Sequence, residues 1–141
     1  MVFRYTFGDT PALRENTLGA RWNPPDVAAI YTSLKHETLL AEMEYRLGLD
    51  PVTPTRPANI FKIKVVLGRV VDLRDPQLFR NLGIDPRAYS DDDLGMCQRI
   101  GRTVEWLECE GLMVPSARHA GANLVMSLSQ EVCKRPQAAA F

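Results

Sequence analysis

The chain has 141 residues and 15.8 kDa, with 45% hydrophobic and 24% charged residues, which is the make-up of one globular domain and excludes a disordered or fibrous chain. Lys plus Arg and Asp plus Glu stand at 17 each, so no net positive field exists to hold a polyanion, and a dedicated nucleic-acid binder is disfavoured. Within the basic set Arg outnumbers Lys 13 to 4, a bias toward the planar fork that grips phosphate or carboxylate.

Residues 2–7, rich in β-branched and aromatic side chains, predict a strand that stops at Gly8-Asp9, with Arg4 facing away from Phe3 and Tyr5. Residues 10–25 hold three prolines and Gly19 and predict a long irregular loop, a kind of segment that is uncommon unless functional. Residues 27–33 suit a second strand. Over 35–48, Leu39, Leu40, Met43 and Leu47 recur at helical spacing and Gly48 supplies a stop, with Glu42 on the border of the apolar face. Residues 50–57 read as a connector.

Residues 59–67 alternate Phe61, Ile63 and Val65 against Lys62 and Lys64, a half-buried strand, and 70–73 continue the sheet. A short helix is expected over 75–82, entered through Pro76. Ser90 before Asp91, Asp92 and Asp93 has the form of an N-cap, and Cys97, Ile100, Val104 and Leu107 then repeat at helical spacing until Gly111. Residues 112–118 and 123–128 give two further short strands, and 134–141 show no periodicity. Short strands that do not alternate regularly with helices predict an α+β domain, one unit over 1–141.

Cys97, Cys109 and Cys133 are odd in number and widely spaced, so neither a disulfide framework nor a zinc site is expected and a reducing cytoplasm is the default. The only histidines, His36 and His119, lie far apart, so no metal is expected and any catalyst works mostly without histidine. No apolar run approaches the roughly 20 residues that span a bilayer, and the chain is expected to be neither secreted nor membrane-embedded. The usual glycine-rich nucleotide cradles are absent.

What remains is an ordered set: Arg21 in GARWNP, Tyr31 in IYTS, Glu42 in LLAE, Ser116 and Arg118 in VPSAR, and Asn123. This series resembles the RES domain, a family named for its Arg, Glu and Ser, and the resemblance runs from Phe3-Arg4 to the strand at Asn123. It implies an ADP-ribosyltransferase-like fold, with short mixed and antiparallel strands around a central core and flanking helices. It also implies a toxin paired with an Xre-type antitoxin that blocks the active site. The implied activity is breakdown of NAD as substrate by water or phosphate, or else ADP-ribosylation of a host protein. By the same resemblance Arg21, Tyr31, Glu42 and Ser116 match the family's functional positions, and Arg4 matches an early arginine. Ala20 and Pro25-Asp26 depart from the Gly and Pro-Gly common there.

The chemistry also follows from residue type. Cleaving the nicotinamide-ribose bond develops positive charge on the sugar, which the carboxylate of Glu42 can stabilise while accepting a ribose hydroxyl. Arg21 is the first candidate for the diphosphate, with Arg4 or Arg118 the second. Tyr31 can stack on nicotinamide, and Ser116 can bind ribose or phosphate. Taken singly, each residue has a plainer reading: Glu42 and Arg46 a solvated helix pair, Arg21 a loop arginine, Tyr31 a strand residue, Ser116 a turn residue and Trp22 packing.

Overall fold

The computed structural model describes residues 1–49, 56–87, 89 and 94–127. The aromatic and β-branched start of the chain forms β1 (Val2–Phe7), and Gly8, at a φ of 59°, turns the backbone out of it. β2 (Ala29–Ser33), α1 (His36–Leu49), β3 (Ala58–Ile63), β4 (Val70–Asp72), α2 (Pro76–Asn81), α3 (Gly95–Trp106), β5 (Gly111–Pro115) and β6 (Ala122–Ser127) follow. Asp75 caps α2 by accepting from the Gln77 N–H, with Pro76 in the first turn where its missing N–H costs nothing.

The strands make one six-stranded sheet in the order β3-β1-β2-β6-β5-β4, antiparallel throughout except where β4 runs parallel to β5. Residues 70–72 join the sheet as expected, on the edge opposite residues 58–63. Alternation along β6 divides the core between two faces. Val125 joins Trp22, Phe79, Val104 and Leu112, whereas Leu124 and Met126 join Val2, Ile30 and Ile63. This is the α+β architecture of short strands with flanking helices that the sequence predicts.

One irregularity positions the site. β1 pairs with β3 along its whole length, but with β2 only at Phe3 and Ser33. The position on β2 that would continue this pairing, Ala29, instead bonds Asn16 of the long loop. The sheet thus forks between β1 and β2, and the loop occupies the fork.

Three local expectations are corrected. Of the predicted stripe on α1 only Leu39 is buried; Leu40 is 38% exposed, and Met43 and Leu47 are half-buried, because the inward face of this helix is polar and carries Thr38 and Glu42. Gly48 lies inside α1 rather than ending it. Gly111 does not stop α3: that helix ends at Trp106, the left-handed position is taken by Glu108 at φ 55°, and Gly111 opens β5, where a side chain would meet Leu67 and Leu124. The expected cap at Ser90 and Asp91 to Asp93 lies outside the described residues, and α3 begins at Gly95 with no side-chain cap from Leu94.

α3 holds the long loop through three side positions at helical spacing. The Gln98 amide donates to the Ala20 carbonyl at 2.9 Å, and the Arg102 fork takes both Asp26 oxygens at 2.9 and 2.6 Å. Between them Gly101 lets the backbone of Trp22 close in, so that an added Cβ would stand 1.7 Å from the Trp22 carbonyl oxygen. Gly101→Ala is expected to destabilise the domain by about 3 kcal/mol, measured as a fall in the urea midpoint without a change in slope.

Candidate active site

The loop that carries Arg21 is organised around Asn23, which is completely buried. Its amide nitrogen donates to the Val27 carbonyl at 2.7 Å and to the Asn16 carbonyl at 3.3 Å, while its oxygen accepts the Tyr31 hydroxyl at 2.6 Å. Tyr31 in turn accepts the Trp22 N–H at 2.9 Å. Burial pushes the Tyr31 hydroxyl well above the ordinary range, so it keeps its proton and its role as donor. The sequence reading gave Tyr31 a stacking role. Here its hydroxyl fixes the loop while its side chain still lines the cavity beside it.

Trp22 is core, as its plainer reading expects, at 3% exposure. Its indole N–H donates to the Tyr89 hydroxyl at 3.2 Å, and Tyr89 donates to the Pro115 carbonyl at 2.9 Å. A hydrogen-bonded path thus runs from GARWNP to VPSAR. The Arg21 guanidinium lies 4.9 Å from the centre of the Tyr89 ring.

At the far end of that path Glu42 is held by neutral donors. Its Oε1 accepts the Ser116 hydroxyl at 2.6 Å and the Asn123 amide at 2.8 Å. Among the described residues no ion pair joins Glu42 to Arg46, so the plain reading of a solvated helix pair does not hold. Asn123 is set by Ser33, whose hydroxyl donates to the Asn123 amide oxygen at 2.9 Å across the paired strands. Ser116 Oγ also accepts the backbone N–H groups of Arg118 and His119, each at 3.1 Å, which closes a tight turn. One turn before Glu42, Thr38 approaches His119 Nδ1 at 3.1 Å, and the same nitrogen accepts the Gly121 N–H at 3.1 Å. α1 therefore grips the turn at two points, Thr38 and Glu42.

These residues surround a cavity of about 500 Å³ at the fork in the sheet. Arg4, Arg21, Tyr31, Glu42, Arg118 and Asn123 all line it, and Ser116 reaches it through Glu42. Arg46 and Tyr45 of α1, Tyr5 of β1 and Ser33 also line it, with Asn16 and three threonines, Thr6, Thr10 and Thr32. Arg118 sits over Tyr45, its Cζ 3.4 Å from the ring centre. Among the described residues that line it, four are arginines and one is a carboxylate. The Arg4 fork bonds the Arg14 carbonyl through one arm, while Nη1 is buried without a partner, and burial lowers the pKa of the group. Among the described residues no three His, Cys, Asp or Glu gather as metal ligands.

Sequence reasoning passes over Asn23, Ser33, Thr38, Tyr89 and His119. Asn23 lies inside the quoted GARWNP string, next to Arg21, and that was its available signal. The others act across 67 to 90 residues of chain and leave no local pattern.

The chain has similar proteins in sequence and in fold. NAD(+) phosphorylase MbcT, from Mycobacterium tuberculosis H37Rv and from Mycobacterium bovis, is 28% identical over 137 residues, spanning 92% of this chain and 73% of the relative. Among solved structures, the M. tuberculosis MbcT-MbcA toxin-antitoxin complex contains a chain that superimposes with a TM-score of 0.83 at 26% identity, over 99% of this chain and 82% of that one. The RES domain matches residues 2–137, from β1 past the last described strand, and so takes in the forked sheet, the arginine loop and the carboxylate of Glu42; this chain belongs to the RES domain family.

Proposed function

We propose that this chain is the toxin of a toxin-antitoxin pair, a single domain over 1–141 that binds NAD as substrate and cleaves its nicotinamide-ribose bond, depleting the cell of NAD. The observation that carries the reading is Glu42, fixed by Ser116 and Asn123 over a cavity otherwise lined by arginines. Relatives named NAD(+) phosphorylase support it, as does the toxin-antitoxin assembly of the similar structure. A cognate antitoxin, Xre-type by the family resemblance, blocks the cavity until it is removed. Among the described residues no helix is long and apolar enough to cross a membrane, which suits action on the NAD of the cytoplasm.

The roles follow from charge and position. Arg21 and Arg118 neutralise the diphosphate from the two sides of the Tyr89 and Tyr45 rings that hold them. Tyr31 presents its ring to nicotinamide. Glu42 accepts a ribose hydroxyl and stabilises the positive charge that develops at the anomeric carbon as the C–N bond breaks. The bonding pair returns to the pyridinium nitrogen, so nicotinamide leaves neutral and needs no general acid. Ser116 and Asn123 are neutral donors, so they orient the carboxylate without cancelling its charge.

The test is incubation of the purified chain, freed of antitoxin, with NAD, with and without inorganic phosphate and cell lysate, followed by mass spectrometry. Phosphate-dependent nicotinamide release with ADP-ribose 1''-phosphate as product is expected. Release confined to lysate, with ADP-ribose gained by a protein, would replace cofactor depletion with protein modification. In the same assay Glu42→Gln, which keeps shape and loses charge, is expected to cut kcat about 100-fold with the urea midpoint retained.

A further inference from the structure

The edge of β5 that faces β4 loses its strand partner one residue before Ser116. Backbone groups two residues apart in a strand point to the same edge, and on this edge the Met113 carbonyl accepts the Leu73 N–H at 2.8 Å. The Pro115 carbonyl, two residues on, therefore points past the end of β4, where the chain has already turned toward the α2 cap at Asp75. Proline has no N–H, so this carbonyl is the one polar backbone group of residue 115. The Tyr89 hydroxyl donates to it at 2.9 Å, standing where a further strand would have stood.

The same hydroxyl accepts the Trp22 indole N–H at 3.2 Å, so it serves as donor and acceptor at once. The partners fix the sense of both bonds, since an indole N–H only donates and a carbonyl only accepts. The Tyr89 ring meets Phe79 edge-on at 5.0 Å and lies 6.0 Å from Trp22, and the residue is buried. Tyr89 is not among the described residues that line the cavity. Core packing there asks only for a ring, which phenylalanine would supply. The hydroxyl reaches further, because its two partners are covalent neighbours of site residues. Trp22 follows Arg21, and Pro115 precedes Ser116, whose own hydroxyl orients Glu42 at 2.6 Å.

On the reading of NAD cleavage given above, we propose that Tyr89 is a positioning residue, whose hydroxyl couples the loop of Arg21 to the carboxylate of Glu42. It fixes the end of β5, from which Ser116 donates to Glu42, and it ties that strand end to the loop through Trp22. The diphosphate and the anomeric carbon of NAD are separated by a set length of bonds, so the groups that hold them must keep register with each other. Tyr31 serves a different purpose: its hydroxyl bonds Trp22 and Asn23, within the loop itself. The Tyr89 hydroxyl carries the register from the loop to the serine turn.

The experiment is a double-mutant cycle on nicotinamide release from NAD by the parent chain, Tyr89→Phe, Glu42→Gln and the variant carrying both, each freed of antitoxin and each with its urea midpoint. Tyr89→Phe keeps the ring and removes only the hydroxyl. The expected result is a fall of about tenfold in kcat with the KM for NAD within threefold of the parent, and a fall of less than about twofold when the same change is made in Glu42→Gln. A hydroxyl that acts through the carboxylate has nothing left to position once the charge is gone. Equal falls in both backgrounds, or a Tyr89→Phe chain that does not fold, would make the hydroxyl a part of the fold alone. An unmoved kcat in the parent background would leave it no role in the site. Each of these overturns the proposal while NAD cleavage by the parent stands; a parent chain that releases no nicotinamide would overturn that cleavage, and the coupling with it.

Discussion

The burial of Asn23 is the constraint on which the rest of the site depends. A primary amide withdrawn completely from water must satisfy its donors and its acceptor internally, and here it does so with the Val27 and Asn16 carbonyls and the Tyr31 hydroxyl. Those partners come from both ends of the loop and from β2, so the loop cannot shift without leaving a buried amide unpaired. α3 closes the same loop from outside, through Gln98, the gap at Gly101 and the Arg102 fork on Asp26. Arg21 is thereby presented from irregular backbone with a fixity that irregular backbone alone does not give.

The forked sheet supplies the space. Had β1 and β2 paired along their length, as β1 and β3 do, Ala29 would have bonded Phe7 and the cavity would have been filled by sheet. Asn16 takes that pairing position instead, and the opening is lined by residues from β1, β2, α1, β6 and the turn after β5. The polar inner face of α1 belongs to the same logic. A helix over a polar cavity gains more from Thr38 and Glu42, which grip the turn, than from an unbroken apolar stripe.

Much of this was legible in the chain. The pattern of β1, the proline entry of α2 and the apolar spacing of α3 each rest on local chemistry, and the elements lie where that chemistry puts them. Arg21, Tyr31, Glu42, Arg118 and Asn123 meet at one cavity, with Ser116 behind the carboxylate. The sequence does not carry which edge of the sheet β4 joins, because an exposed three-residue strand has almost no pattern to place it. Nor does it carry the Trp22–Tyr89–Pro115 path or the grip of Thr38 on His119, since each joins residues distant in the chain whose types fit many other roles. The Leu40 stripe misled for a related reason: helical spacing registers which residues share a face, not whether that face meets a core or a cavity.

The same geometry explains how one carboxylate can remain useful among four arginines. An arginine bonded directly to Glu42 would orient it, but would also oppose the negative charge just where positive charge must develop on the sugar. Ser116 and Asn123 orient it as well and carry no charge, and Ser33 and the turn amides hold those two in place in turn. Three of the arginines have contacts elsewhere: Arg21 beside Tyr89, Arg118 on Tyr45, and Arg4 with one arm on the Arg14 carbonyl. On the proposed reading, cationic recognition of phosphate and anionic stabilisation of the ribose share one cavity without neutralising each other. On the proposed reading, that separation leaves bond cleavage to fixed charge rather than to proton transfer, so the chemistry asks for no histidine on the reacting bond.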